Sequence, residues 1–159
     1  MKQKELEEVK FYNQKINIME TIEKTAITVE TTVKAPVEKV WENWNEPKHI
    51  TKWNQASDDW HSPHSENDLR EGGKFKTTMA AKDGSFSFDF EGVYTKVEPY
   101  KAIQYNIADG RKVEITFSSA GNETKVTETF EAEGSHSIDM QRGGWQAILD
   151  SFKRYTEAN

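Results

Sequence analysis

Cysteine is absent from the 159 residues, which excludes disulfides, thiolate metal sites and a cysteine nucleophile. Basic residues are in the minority: 21 Lys and Arg against 27 Asp and Glu leave a net charge of −6. Nucleic-acid binders usually carry a basic patch or stripe, so nucleic acid is not an expected partner. No apolar run approaches the ~20 residues of a membrane span, and no apolar stretch of the signal-peptide kind follows Met1. The expectation is a soluble, cytoplasmic protein with no membrane span. G-x-S-x-G, the P-loop, H-E-x-x-H and G-x-G-x-x-G are all missing, so the chain offers neither a nucleophile elbow nor a phosphate cradle. No repeat, linker or low-complexity segment interrupts it, and its length suits one domain with a real core.

What the chain does have is aromatic bulk: five Trp, eight Phe and five Tyr. That hints at a lined cavity, although packing is the more common use of such residues. The strongest pattern is Ser137–Tyr155, where Trp145, Ile148, Leu149 and Phe152 recur at i, i+3, i+4 and i+7. Gln141 and Tyr155 extend that stripe of a long amphipathic helix. Ser137 suits its N-cap, and Asp139 and Lys153–Arg154 suit the two ends of its dipole. Gly143–Gly144 runs against helix propensity by about 1 kcal/mol per glycine, which predicts a strand or a ligand close to the backbone there.

The rest of the chain reads mostly as strands. Residues 1–21 form an N-terminal extension, either unstructured or a short helix through Leu6 and Val9, and the domain is expected over 22–159. Thr25–Val33 alternates as a half-buried strand. Pro36 then starts a short helix with Val37, Val40, Trp41 and Trp44 on one face, and a second helix over 48–53 turns Ile50 and Trp53 inward. Residues 54–73 show no regular pattern. Five strands follow, over 74–81, 85–97, 101–108, 112–119 and 123–132, with Asp83-Gly84 and Asp109-Gly110 as hairpin turns. The apolar parity changes between Phe86, Phe88, Phe90 and Val93, Val97, which predicts a β-bulge near Gly92. The result is an α+β fold: a curved antiparallel six-stranded sheet wrapped around the C-terminal helix, with two short helices after the first strand.

This order is similar to the START-like (SRPBCC) superfamily and its helix-grip fold. The stretches A-P-V-E-K-V-W-E-N-W-N-E-P-K-H-I-T-K-W, D-L-R-E-G-G-K-F, A-K-D-G-S-F-S-F-D-F-E-G-V-Y and G-W-Q-A-I-L-D-S-F narrow it. They resemble single-domain relatives of the activator of heat-shock-protein-90 ATPase. The resemblance covers about residues 22–159 and implies a cavity between sheet and helix, without supplying a catalytic set. The eponymous co-chaperone has a separate N-terminal domain that engages the chaperone. This chain has no room for one, so direct chaperone binding is not expected.

Few residues suggest chemistry. His61 and His64 follow Asp58-Asp59, but H-x-x-H around Pro63 cannot place both rings on one helical face, and no metal or cofactor is expected. Loop histidines facing water are the commoner case, though His61 beside Trp60 is the better pocket donor. Glu128 shares its parity with Val126 and Phe130 and should face inward, where desolvation would raise its pKa. A structural ion pair with Arg70 or Arg142 would use the same residue differently. Tyr105, between Ile103 and Ile107, should also point inward. Catalytic candidates are therefore limited to Glu128, His61 and Tyr105. A ligand would meet Trp60, His61, Met79, Phe88, Phe90, Tyr105, Ile115, Phe117, Glu128, Gln141, Trp145 and Leu149. The favoured function is a binding module for an apolar or amphipathic small molecule, as a monomer or weak dimer. A cyclase- or dehydratase-like enzyme and a co-chaperone-like interaction module stay open beside it.

Overall fold

The computed structural model describes residues 3–159, and the side chains of 3–14 and 25–159. A helix, α1 (Gln3–Lys24), opens the chain; residues 1 and 2 of the expected extension lie outside the described residues. Every described side chain of α1 from Gln3 to Gln14 is exposed, including Phe11 at 72% and Tyr12 at 64%. A helix with no buried face among these residues adds little to a cooperative core. Deleting residues 1–18 is therefore expected to leave the urea midpoint nearly unchanged; a clear drop would show that the segment docks on the domain.

Strand β1 (Ala26–Val33) buries Ile27, Val29 and Val33, as its alternation predicts. Helices α2 (Val37–Asn45) and α3 (Pro47–Trp53) follow, and Pro36 serves as the N-cap of α2. Trp41 and Trp44 set their rings edge-on to Phe117, at 5.3 and 6.0 Å between centroids, and so pin α2 to the sheet. The indole N–H of Trp53 donates to the Asn43 carbonyl at 2.9 Å, which ties α3 to α2.

The next element corrects the sequence reading. Residues 60–67, expected to be irregular, form strand β2 (Trp60–Asn67), so the sheet has seven strands rather than six. The missed strand lies at an edge and is almost wholly polar. Its register shifts between His61 and His64, at a bulge that accommodates Pro63. Ser62 supplies its inward contact, donating to the Asn54 carbonyl at 2.5 Å.

Strands β3 (Lys74–Ala81), β4 (Ser87–Glu98), β5 (Ala102–Ile107), β6 (Lys112–Ala120) and β7 (Glu123–Glu131) complete an antiparallel sheet in the order β1-β7-β6-β5-β4-β3-β2. The Asp-Gly turns join β3 to β4 and β5 to β6, as expected. The bulge in β4 is real but lies between Tyr94 and Lys96, not at Gly92. Its inward set is accordingly Phe90, Tyr94 and then Val97, while Val93 is exposed. Gly92 has a different use: a Cβ there would lie 2.9 Å from the Phe75 ring and 2.5 Å from the Asn106 carbonyl oxygen. Its bareness lets Phe75 lie flat against the strand.

Helix α4 (Ile138–Ala158) crosses the concave face, its first turn capped by Ser137 Oγ accepting from the Met140 amide at 3.1 Å. Leu149 and Phe152 are fully buried, and Phe152 lies 4.8 Å from the Trp44 ring and 4.9 Å from Trp53. Lys153 Nζ reaches the Thr32 carbonyl and Gln146 the Glu30 carbonyl, so α4 also covers the open edge of β1. The C-terminal half of the helix is thus clamped between two short helices and an edge strand. Its N-terminal half spans a gap.

Candidate functional site

Beneath that half of α4 lies a cavity of roughly 410 Å³. Its roof is α4, through Gln141, Gly144, Trp145 and Ile148; its floor is the sheet, through Phe75, Phe90, Tyr94, Tyr105 and Glu128. Asn45, Ile50 and Trp53 of the short helices close one side. Phe88 and Met140, exposed by 42% and 65%, belong to both the lining and the surface and so mark the opening.

The rings form a continuous set. Phe75 lies 4.7 Å from Tyr105, 5.3 Å from Tyr94 and 5.8 Å from Phe90. Phe90 in turn meets the edge of Trp145 at 6.1 Å, and Trp145 stacks on Phe130 at 3.9 Å with 9° between planes. Trp145 is therefore held flat by a core residue while lining the cavity from above.

Glu128 sits in β7 opposite Val29 and Ile115, an acid between two buried aliphatic neighbours. It is 5% exposed, and neither expected arginine partners it: Arg70 pairs with Asp68 at 2.9 Å and Arg142 with Asp139 at 3.3 Å. Arg111, the arginine of the lining, is engaged with Asp109 at 2.8 Å. Burial alone pushes the Glu128 carboxyl up to about 8. Burial, and then the charge of Glu128, also raise the Tyr105 hydroxyl well above its ordinary value. Near neutral pH both groups carry their protons, so neither is a resting base.

Polar residues at the margin are satisfied. Tyr94 donates to Asn67 Oδ1 at 2.6 Å, and Asn67 donates to the Asn45 carbonyl at 2.7 Å. Gln141 bridges the start of α4 to the end of β7, accepting from the Glu133 amide at 2.8 Å and donating to the Glu133 and His136 carbonyls. Partial burial raises the Glu133 carboxyl, but hydrogen bonds from Ser135 and His136 outweigh it and bring it down to about 2.

Of the expected ligand contacts, the cavity brings together Met79, Phe88, Phe90, Tyr105, Glu128, Gln141 and Trp145. Five others lie outside its lining. Ser62 takes the inward place beside His61, which leaves His61 exposed. Trp60 packs against Phe86 and Phe88 at 6.2 and 6.0 Å, outside the opening. Phe117 is occupied by Trp41 and Trp44, and Ile115 and Leu149 are sealed in the core. Sequence reasoning missed Phe75, Tyr94, Asn67 and Arg111. Aromatic alternation pointed to Phe75 and Tyr94; nothing local pointed to the other two. A grouping with metal-like composition lies elsewhere, at Glu42, Glu46 and His49, whose ligand atoms fall within 4.8 Å of one another. There Glu46 pairs with Lys48 and His49 Nδ1 contacts the Tyr155 hydroxyl at 2.6 Å.

The glycine pair in α4 has no strand against it. An added Cβ at Gly143 or Gly144 meets nothing within 4 Å, and Gly144 lines the cavity. Its missing side chain leaves the roof open where a methyl group would otherwise intrude.

Residues 34–157 match the family described as Activator of Hsp90 ATPase homolog 1-like protein. The chain belongs to this family. A solution structure of an AHSA1-like protein from Aeromonas hydrophila is similar at 48% identity and a TM-score of 0.80, covering 84% of this chain and 93% of that one. A solution structure from Cytophaga hutchinsonii shares 58% identity over 84% of this chain and 92% of that one, with a TM-score of 0.73. A crystal structure from Nitrosomonas europaea, at 19% identity, covers 85% and 96% with a TM-score of 0.73 and shows the fold alone. No curated protein matches. The AHSA1-like domain thus places its long helix on a curved sheet, an arrangement consistent with a ligand-binding module. No helix among the described residues is long and apolar enough to cross a membrane.

Proposed function

We propose that this AHSA1-like chain binds an apolar or amphipathic small molecule between the curved sheet and α4. The observation that carries this reading is Glu128, a carboxyl with no ion-pair partner among the described residues, buried among aliphatic and aromatic neighbours and facing the cavity. A group so costly to desolvate is poor structural design, because an aliphatic residue would suit its neighbours better. It makes sense where a ligand completes its environment. The Gly143–Gly144 pair supports the same reading, since a helix that needed only stability would carry alanine there. Tyr105 and Glu128 are both proton-bearing near neutral pH, which favours holding a ligand over abstracting a proton from it.

The test uses the roof. Gly143→Ala and Gly144→Ala are each expected to raise stability by about 1 kcal/mol in urea melts, from helix propensity in open space. Gly144→Leu should keep the fold but abolish the fluorescence enhancement of a neutral apolar probe such as N-phenyl-1-naphthylamine. Undiminished probe binding by a folded Gly144→Leu protein would remove the cavity as the binding site.

A further inference from the structure

The lining has an electrostatic asymmetry. Phe75, Phe90, Tyr94 and Tyr105 of the floor and Trp145 of the roof all line the cavity, and aromatic faces are negative. Glu128 adds a carboxyl on the same floor, and among the described lining residues no cation stands free to meet it. The other titratable and charged groups of the lining are already engaged or neutral. Glu66 of β2 pairs with His64 at 3.1 Å, and Glu133 pairs with His136 at 2.8 Å in the connection before α4. Arg111, before β6, is held by Asp109, and Tyr94 of β4 donates its proton to Asn67.

Resting on the binding function just proposed, we infer that the ligand is a lipophilic amine, whose ammonium group pairs with Glu128 inside the aromatic wall while its apolar body fills the cavity. A carboxylate would be repelled by an ionised Glu128 and a carbonyl offers it no opposite charge, whereas an ammonium pairs with the carboxylate and is attracted by any aromatic face it meets. The chain's net charge of −6 favours the approach of a cation as well. The exchange balances without any further reagent. The neutral carboxyl of Glu128 gives its proton to solvent, and the carboxylate left behind pairs with the alkylammonium. Amine affinity should consequently rise with pH until Glu128 is ionised in the empty protein, near pH 8.

The experiment is calorimetry with phenylbutylamine and its neutral counterpart phenylbutanol, in buffers of different ionisation enthalpy at about pH 7. The expected result is about tenfold tighter binding of the amine, with roughly one proton released per molecule bound. Glu128→Gln, similar in shape and always neutral, should erase both differences while still binding the alcohol. Equal binding of amine and alcohol with no proton release would overturn the amine assignment and leave the apolar cavity standing. Binding of neither compound would overturn both readings.

Discussion

Replacing Glu128 with leucine is expected to make the domain more stable at pH 8, by on the order of 3–5 kcal/mol. The physical basis is linkage. In the unfolded chain this carboxyl ionises near 4.5, whereas in the folded domain burial holds its proton until about pH 8. A carboxyl with a raised folded value contributes fully below the unfolded value, and that contribution is lost as pH rises through the folded value. Wild-type stability should thus decline between about pH 4.5 and 8, and level off above. Glu133 works in the opposite sense, but its carboxyl is held down to about 2, so its effect falls below that window. Urea melts across the window give the check. Glu128→Gln should flatten the decline, matching wild type near pH 4.5 and exceeding it at pH 8. Destabilisation by both substitutions would mean that Glu128 neutralises a buried cation.

Phe152→Ala is expected to cost about 3–5 kcal/mol, a large share of the roughly 5–15 kcal/mol that holds a typical domain folded. The ring is fully buried and packs edge-on against both Trp44 and Trp53, which lie 5.0 Å from each other, so its removal leaves a cavity beside two bulky indoles that are already packed together. It is also the point where α4 is fixed against both short helices. A loss under about 1 kcal/mol in urea melts would show that α4 is held mainly by its edge contacts with β1.

Glu128 lies on the sheet beneath the N-terminal half of α4 and Phe152 in its packed C-terminal half, and the two regions are not equally legible in the sequence. The packed region is. Leu149 and Phe152 follow helical spacing, Ser137 caps where expected, and Ile27, Val29 and Val33 alternate against them. Both Asp-Gly turns are local chemistry and fell where they were read. Glu128 could be placed inward because a strand's parity is rigid and both Val126 and Phe130 declare it. What failed had no local signature. Strand β2 is polar, carries Pro63 and exists because β3 offers it hydrogen bonds, so alternation could not find it. Its pleat turns Ser62 inward and His61 out, away from the cavity. The parity slip of β4 was inferred from Val93, an exposed residue whose apolar side chain mimicked an inward one. Asn67 and Arg111 reach the cavity through register across several strands, information that no stretch of sequence holds by itself.

One carboxyl, buried in an aromatic-lined cavity and unpaired among the described residues, underlies both the ligand site and its amine. Titrating the Glu128 side-chain carboxyl carbon by NMR, in the full chain with no ligand added, tests that most directly. A midpoint near 8 is predicted, with the Tyr105 and Trp145 resonances moving in the same step. A midpoint at or below the ordinary 4.5 would show the acid solvated or paired, and would contradict both the proposed ligand site and the amine it is inferred to hold.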